Sequence, residues 1–94
     1  MDDLLDKEFN RIVGETIKQK RERKGYSLQE LSNKINNKVS RQTLYKYENN
    51  QSNIRNGIFI EICKALGEDP PDVFEEISIK YMRLVQQIKD KKFN

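Results

Sequence analysis

The sequence predicts an all-α domain of five helices, of which the last is an extended C-terminal helix. Three observations favour this class. Apolar residues recur at steps of three and four, which is the spacing of one face of an α-helix. Capping residues, glycines and a proline pair divide the chain into segments of helical length. The 94 residues, 35% of them apolar and 35% charged, suit one small and rather polar domain.

The first helix is predicted over residues 6–23, where apolar side chains form one stripe: Leu5, Phe9, Ile12, Val13 and Ile17. Gly25 ends this helix, because glycine readily takes the left-handed conformation that follows many helices. Ser27 and Glu30 then have the spacing of a capping box at the start of a short second helix. The apolar face of this helix consists of Leu28, Leu31 and Ile35.

The polar tract 36–38 interrupts the helical pattern, and Ser40 is the predicted cap of a third helix that runs to about Glu48. A fourth helix is predicted over residues 55–66 and is closed by Gly67. Its expected buried positions are Ile58, Phe59, Ile62 and Leu66.

The last helix is predicted to start at the sequence Pro70-Pro71-Asp72, since proline is favoured in the first turn. Its apolar positions follow a heptad spacing: Phe74, Ile77, Tyr81, Leu84 and Ile88. Two interpretations stay open. The stripe packs on the first helix of the same chain, or it forms a dimer seam through Ile77, Tyr81, Leu84 and Ile88.

Charge is distributed unevenly along the chain. Residues 11–55 carry 11 lysines and arginines against four acids, a net charge of +7, whereas the rest of the chain has a net charge of −4. A basic middle between acidic ends indicates a polyanionic partner that one surface binds. The alternative is an ordinary solvated surface, which charge alone does not exclude.

Composition argues against several other functions. Histidine is absent, and without it the single cysteine, Cys63, has no imidazole to activate it, so we expect Cys63 to be a core residue. There is no glycine-rich phosphate loop or nucleophile motif, and we expect no enzyme activity, cofactor or metal. No apolar run approaches the roughly 20 residues that cross a bilayer, and the amino terminus is acidic, so no membrane association and a cytoplasmic location are expected.

The third helix has an unusual polar surface. At 100° per residue, Leu44 and Tyr47 share one side, while the opposite side carries Gln42, Tyr45, Lys46 and Asn49. Arg41 lies beside this face at the amino-terminal end of the helix. Glutamine can form paired hydrogen bonds with adenine and arginine with guanine, so these residue types favour readout of the DNA major groove.

Three segments carry a resemblance to a known family: IVGETIKQKRERKGYSLQELSNKI, VSRQTLYKYENN and IFIEICKALGEDPPDVF. Their spacing of apolar and capping positions resembles the Cro and phage-repressor type of helix-turn-helix proteins, also called XRE-like. The resemblance implies a DNA-binding domain over residues 11–74. Residues 1–10 would extend the first helix, and residues 75–94 would form a C-terminal helix that is a candidate dimerisation element.

The resemblance also implies roles for single residues. Arg21 and Glu48 match a structural ion pair between the first and third helices. The positions that touch bases in the family are occupied by Arg41, Gln42, Tyr45 and Lys46. Positions near the DNA backbone are occupied by Ser27, Gln29, Ser40, Asn50, Ser52, Asn53 and Arg55.

The chain departs from the family pattern at the turn before Val39. Residues 36–38 add two residues to this turn and contain no glycine, so asparagine would have to supply any left-handed residue there, as it would at Asn50. Leu28 stands where many relatives have a glutamine that faces DNA, so that contact is either lost or transferred to Gln29.

These observations predict a sequence-specific regulator of transcription that binds double-stranded DNA. The expected form is a repressor that acts as a homodimer on a palindromic operator. The alternative is an antitoxin-like or other protein-interaction module that binds a protein partner through its C-terminal helix.

Overall fold

The computed structural model describes the backbone of residues 2–93 and the side chains of residues 5–91. Five helices follow one another: α1 (Asp2–Lys24), α2 (Leu28–Lys34), α3 (Arg41–Glu48), α4 (Asn56–Ala65) and α5 (Pro70–Phe93). The described part of the chain contains no strand, and the predicted all-α class with five helices is confirmed. The predicted ranges 1–10 and 75–94 include Met1 and Asn94, which lie outside the described residues.

Helix α1 starts at Asp2 rather than near Asp6, so it is one turn longer than its apolar stripe predicted. It ends where predicted, because Gly25 has a positive φ of 77° and its N–H donates to the Glu22 carbonyl at 2.9 Å. Helix α4 is one residue shorter than predicted at each end.

Helix α2 begins with the predicted capping box. Ser27 Oγ accepts from the Glu30 N–H, and the Glu30 carboxylate accepts from the Ser27 N–H, both at 3.0 Å. Helix α3 begins similarly, since Ser40 Oγ accepts from the Thr43 N–H at 3.2 Å. Each cap satisfies an amide that has no partner within its own helix.

The turn between α2 and α3 accommodates its two additional residues through two consecutive left-handed asparagines. Asn36 and Asn37 have φ values of 58° and 56°. The Asn37 N–H donates to the Ser32 carbonyl at 2.8 Å, and Ser32 Oγ donates to the Val39 carbonyl at 2.7 Å. Asparagine tolerates this conformation better than most residues other than glycine, which explains how the turn forms without glycine.

The core consists of two adjoining clusters of buried side chains. The larger one joins the first four helices and comprises Ile17, Leu31, Ile35, Val39, Leu44, Tyr47, Ile62 and Leu66. The smaller one joins α1, α4 and α5 and comprises Ile12, Cys63, Val73 and Ile77. Cys63 is a buried core residue, and burial raises the pKa of its thiol to about 11.

Two predicted core positions of α4 need correction. Ile58 and Phe59 are only half-buried, although both pack against the larger cluster. Phe74 is exposed, and the buried residue at the start of α5 is Val73. Val73 and Ile77 are four residues apart and therefore face the same side, while Phe74 is turned by about 100° to the edge, where its ring meets Phe9 edge-on.

Helices α1 and α5 run in opposite directions along one another. Phe9 packs edge-on against Tyr81, with ring centroids 5.3 Å apart. Further along α1, the Thr16 hydroxyl accepts from Lys80 at 3.1 Å. None of the five described helices combines the length and apolar composition that a bilayer crossing requires.

Candidate nucleic-acid interface

Helix α3 presents one face to solvent and the other to the core. Tyr45 is 51% exposed, whereas Tyr47, two residues later, is 8% exposed. The exposed side carries Arg41, Gln42 and Lys46 together with Tyr45. Among the hydrogen bonds and ion pairs of residues 5–91, none involves the side chain of any of these four residues, so their polar groups are free to bind a ligand.

Asn49 differs from the other polar residues predicted on this face. Its side-chain Nδ2 donates to the Tyr45 carbonyl at 2.8 Å, and its backbone N–H donates to the same oxygen at 3.0 Å. The amide therefore satisfies the carboxyl end of α3 and is less available to a ligand than the amide of Gln42.

The carboxyl end of α3 is tied to α1 by a buried ion pair. Arg21 Nε donates to Glu48 Oε2 at 2.7 Å, and Arg21 Nη2 donates to Glu48 Oε1 at 2.9 Å. The third nitrogen, Nη1, donates to the Tyr26 carbonyl at 2.7 Å. The hydrogen bond that Arg21 donates to the Glu48 carboxylate raises the pKa of Arg21, although burial acts in the opposite direction. This two-pronged geometry fixes the orientation of α3 relative to α1.

A groove of about 520 Å³ lies between the amino end of α2 and the exposed face of α3. The groove is lined by residues at the start of α2, residues of α3 and one residue of the loop after α3: Ser27, Leu28, Gln29, Arg41, Gln42, Tyr45, Lys46 and Gln51. Gln29 is exposed, and its Nε2 donates to Asn33 Oδ1 at 3.0 Å. Six of the predicted DNA-contacting residues therefore lie around one groove.

The loop after α3 supplies most of the remaining predicted positions. Its exposed residues are Asn50, Gln51, Ser52, Asn53 and Arg55, and Asn50 has a φ of 58°. A second cleft joins the first four of these residues to Asp6, Lys7 and Asn10 of α1. Gln51 lines both depressions, but no pattern in the sequence distinguishes it from the other residues of this polar loop.

The four predicted dimerisation residues differ in how deeply they are buried. Ile77 is completely buried in the core of the same chain, so its side chain cannot contribute to a seam between two copies of this fold. Tyr81 and Leu84 are half-buried and pack against the smaller core cluster, and Ile88 is 39% exposed. The first half of the stripe therefore packs within its own chain, which is the first of the two interpretations that the sequence left open.

Comparison with known proteins identifies the family. A family model described as helix-turn-helix matches residues 17–73, which is more than half of the chain. The chain belongs to the Cro/phage-repressor type of helix-turn-helix proteins. Members of this family bind DNA and regulate transcription. The chain is therefore a DNA-binding regulator of transcription.

In this helix-turn-helix domain, α2 and α3 are the two helices of the motif, and α3 is the recognition helix. A similar solved structure is the crystal structure of the clp gene regulator ClgR from Corynebacterium glutamicum. The two chains are 22% identical, with a TM-score of 0.74, and the match covers 90% of this chain and 88% of the other. At this identity the likeness concerns the fold. Comparison with curated proteins gave no significant match.

Proposed function

We propose that the protein is a sequence-specific repressor that binds a palindromic operator as a dimer and inserts α3 into the major groove. The observation that carries this proposal is the outward face of α3. It offers a guanidinium, an amide, a phenol and an ammonium group, and no side chain of the described residues bonds to any of them. No acidic residue interrupts this face, since Glu48 is turned inward to Arg21.

The residues of this face are proposed to read base edges. Arg41 lies at the first position of α3, the end at which a recognition helix meets the bases. Its guanidinium suits guanine O6 and N7, and the Gln42 amide suits adenine N6 and N7. Tyr45 and Lys46 lie one turn further along the same face.

A second set of residues is proposed to contact the DNA backbone: Ser27, Gln29, Ser40, Asn50, Ser52, Asn53 and Arg55. All seven are exposed: Ser27 and Gln29 line the groove beside α3, Ser40 caps α3, and the other four lie in the loop between α3 and α4. Hydroxyl, amide and guanidinium donors suit phosphate oxygens, which position a protein on DNA without reading its sequence. The net charge of +7 over residues 11–55 would add salt-dependent affinity.

The dimer sets the proposed form of the operator. Two recognition helices related by a two-fold axis reach successive major grooves when they are about 34 Å apart, which gives half-sites about one helical turn apart. The proposed mechanism of repression is occlusion, in which the bound dimer excludes other proteins from the same DNA.

Selection of bound sequences from randomised duplex DNA tests the proposal. Wild-type protein should enrich a palindrome, and Gln42→Ala should lose about 1–3 kcal/mol of discrimination at particular base pairs. Arg55→Ala should instead weaken binding to all sequences alike and lower the slope of log affinity against log salt by about one. Gln87→Ala, which removes an exposed amide from α5, is the control and should leave both properties unchanged.

Equal losses for Gln42→Ala and Arg55→Ala on operator and scrambled DNA would refute the division between base-reading and backbone-contacting residues. A pool without any enriched sequence at near-physiological salt would refute sequence-specific binding itself.

A further inference from the structure

Large apolar side chains are exposed mainly on α5. Of the six such side chains in the described part of the chain, four belong to this helix: Phe74, Ile79, Met82 and Ile88. Phe74 contacts Phe9 of α1, but Ile79 and Met82 project away from α1, and Met82 is 63% exposed. Single exposed apolar residues are ordinary, whereas neighbouring ones on one helix face indicate an interaction surface.

Ile79 and Met82 belong to a longer stripe, which we call the outer stripe of α5. It consists of Asp72, Glu75, Ile79, Met82, Gln86 and Lys89. These residues recur at alternating steps of three and four, which is the heptad spacing of a helix that pairs with another helix. All six are exposed, and at 100° per residue they lie opposite Val73, Ile77 and Leu84, which face the core.

The outer stripe is complementary to itself when two copies run antiparallel. If Ile79 packs against Met82 of a second copy, the residue four positions before Ile79 meets the residue four positions after that Met82. Glu75 then faces Gln86 of the second copy. One step further out, Asp72 faces Lys89 of the second copy. The same pairs recur on the other side of the two-fold axis, as an isologous interface requires.

A parallel arrangement would place like charges together. Asp72, Glu75 and Lys89 would each face the same residue of the second copy, and like charges across an interface are unfavourable. The antiparallel arrangement gives two opposite-charge pairs at the ends and two apolar layers in the centre. The amide of Gln86 donates to Asp90 at 3.0 Å within its own chain, but this bond is exposed and can be exchanged at little cost.

We propose that the protein dimerises through this antiparallel pairing of α5, with Ile79 and Met82 at its centre and Asp72–Lys89 ion pairs at its ends. The inference rests on the proposed function, which requires a dimer, and it replaces the sequence-predicted seam by the opposite face of the same helix. The stripe spans 18 residues, or about 27 Å of helix, so the interface is small and the dimer should depend on concentration. A palindromic operator would favour it by mass action.

Sedimentation velocity of the full chain tests the interface. At about 100 μM, where a Kd in the low micromolar range leaves most chains paired, wild-type protein should be dimeric. Ile79→Asp should raise the dissociation constant by about tenfold or more, because it buries a charge at the centre of the interface. Ile60→Asp is the matched control, since Ile60 is 41% exposed on α4 and Ile79 is 44% exposed on α5. It should leave the dimer unchanged.

Two further measurements test the arrangement. Lys89→Asp should weaken the dimer by opposing acidic residues at both ends, and adding Asp72→Lys to that variant should restore it. For disulfide cross-linking, a mixture of Ile79→Cys and Met82→Cys chains should form covalent dimers faster than either variant alone, because these two positions face each other. Circular dichroism of each variant establishes that the helices are intact.

The inference is overturned if wild-type protein is monomeric at this concentration, or if Ile79→Asp and Ile60→Asp affect the dimer equally. Faster cross-linking of Met82→Cys alone than of the mixture would also overturn the proposed pairing. The function is tested separately, because Ile79→Asp should keep the base preference of wild-type protein on a single half-site. If wild-type protein itself shows no base preference on a half-site, the proposed function is refuted, whereas the proposed dimer is not.

Discussion

The main-chain oxygen of Tyr47 occupies the space in which a side chain on Gly14 would begin. The Tyr47 carbonyl carbon and the Glu48 Cα lie 3.2 and 3.3 Å from the same point. Helices α1 and α3 therefore cross with their backbones in contact, and glycine is needed at the crossing because any Cβ would meet backbone atoms that cannot move aside alone.

Gly14→Ala should lower the free energy of unfolding by about 1–3 kcal/mol, since overpacking forces the two helices apart. Urea unfolding measures this change. The control is Gly57→Ala, because a Cβ on Gly57 meets nothing within 4 Å. Alanine in this helix should stabilise the protein by up to about 1 kcal/mol. Equal effects of the two substitutions would contradict the close crossing.

Removal of one partner of the Arg21–Glu48 pair should be costly. Arg21→Met leaves the Glu48 carboxylate buried without a counterion, and we expect a loss of about 3–5 kcal/mol in unfolding free energy. The double variant Arg21→Met/Glu48→Met should lose less than Arg21→Met, because it removes both charges. Arg11→Met is the control, since its bonds to Glu8 and Glu15 lie on the surface, and it should cost about 1 kcal/mol or less. A double variant no more stable than Arg21→Met would argue against this account.

The left-handed turn after α2 predicts a contrast between two substitutions at Asn36. Asn36→Gly should be neutral or stabilising, whereas Asn36→Val should cost more than about 1 kcal/mol, because a β-branched residue is strained at this φ. Thermal unfolding compares the two variants. Asn33→Ala, in the ordinary helical conformation of α2, should change stability little. If glycine and valine had the same effect at position 36, the turn would not have this conformation.

The carboxylate of Glu76 should contribute stability that depends on pH. Partial burial acts to raise its pKa, but hydrogen bonds from Lys20 and Lys80 outweigh burial and hold the pKa below its ordinary value of 4.5. A lowered pKa in the folded state stabilises the protein above the unfolded value and ceases to do so as pH falls through the folded value. Glu76→Gln should therefore be less stable than wild-type protein at pH 7.

Urea unfolding at pH 7, 5 and 3 checks this dependence, and the two proteins should converge toward the lowest pH. The hydrogen bond to Glu68, more than the one to Glu76, raises the pKa of Lys20 against the effect of burial. The stability that Lys20 contributes through this raised pKa is present below its ordinary pKa of 10.5. It should be lost as pH rises through the higher pKa that Lys20 has in the folded protein. For Glu76, a stability difference between Glu76→Gln and wild type that stayed constant from pH 7 to pH 3 would exclude the lowered pKa of this carboxylate as its cause.

Local features of the fold were predictable from sequence, because capping and helical periodicity depend on residues within one or two turns. The Ser27 capping box, the Ser40 cap and the ends at Gly25 and Gly67 are of this kind. The heptad stripe of α5 did not include Val73, which faces the core, because nothing local distinguishes it from Phe74, whose ring meets Phe9 of α1 at the edge.

Features that depend on how helices pack were out of reach of local patterns. Gly14 lies within a helical stripe and carries no signal of the crossing with α3. The outer stripe of α5 became recognisable only once the position of α1 showed which face of α5 is covered. The polar face of α3 was predictable, because a short capped helix with two apolar positions on one side leaves only one orientation for the others.

Gly14 and Arg21 are seven residues apart, which is close to two full turns, so both face α3 from one line along α1. Inserting or deleting a single residue between them would rotate the guanidinium by about 100° around the helix axis and shift it by about 1.5 Å. The same rotation would move the Lys20 ammonium group away from the carboxylates of Glu68 and Glu76. Segment 14–21 should thus tolerate exchanges of its outward side chains but no change in its length.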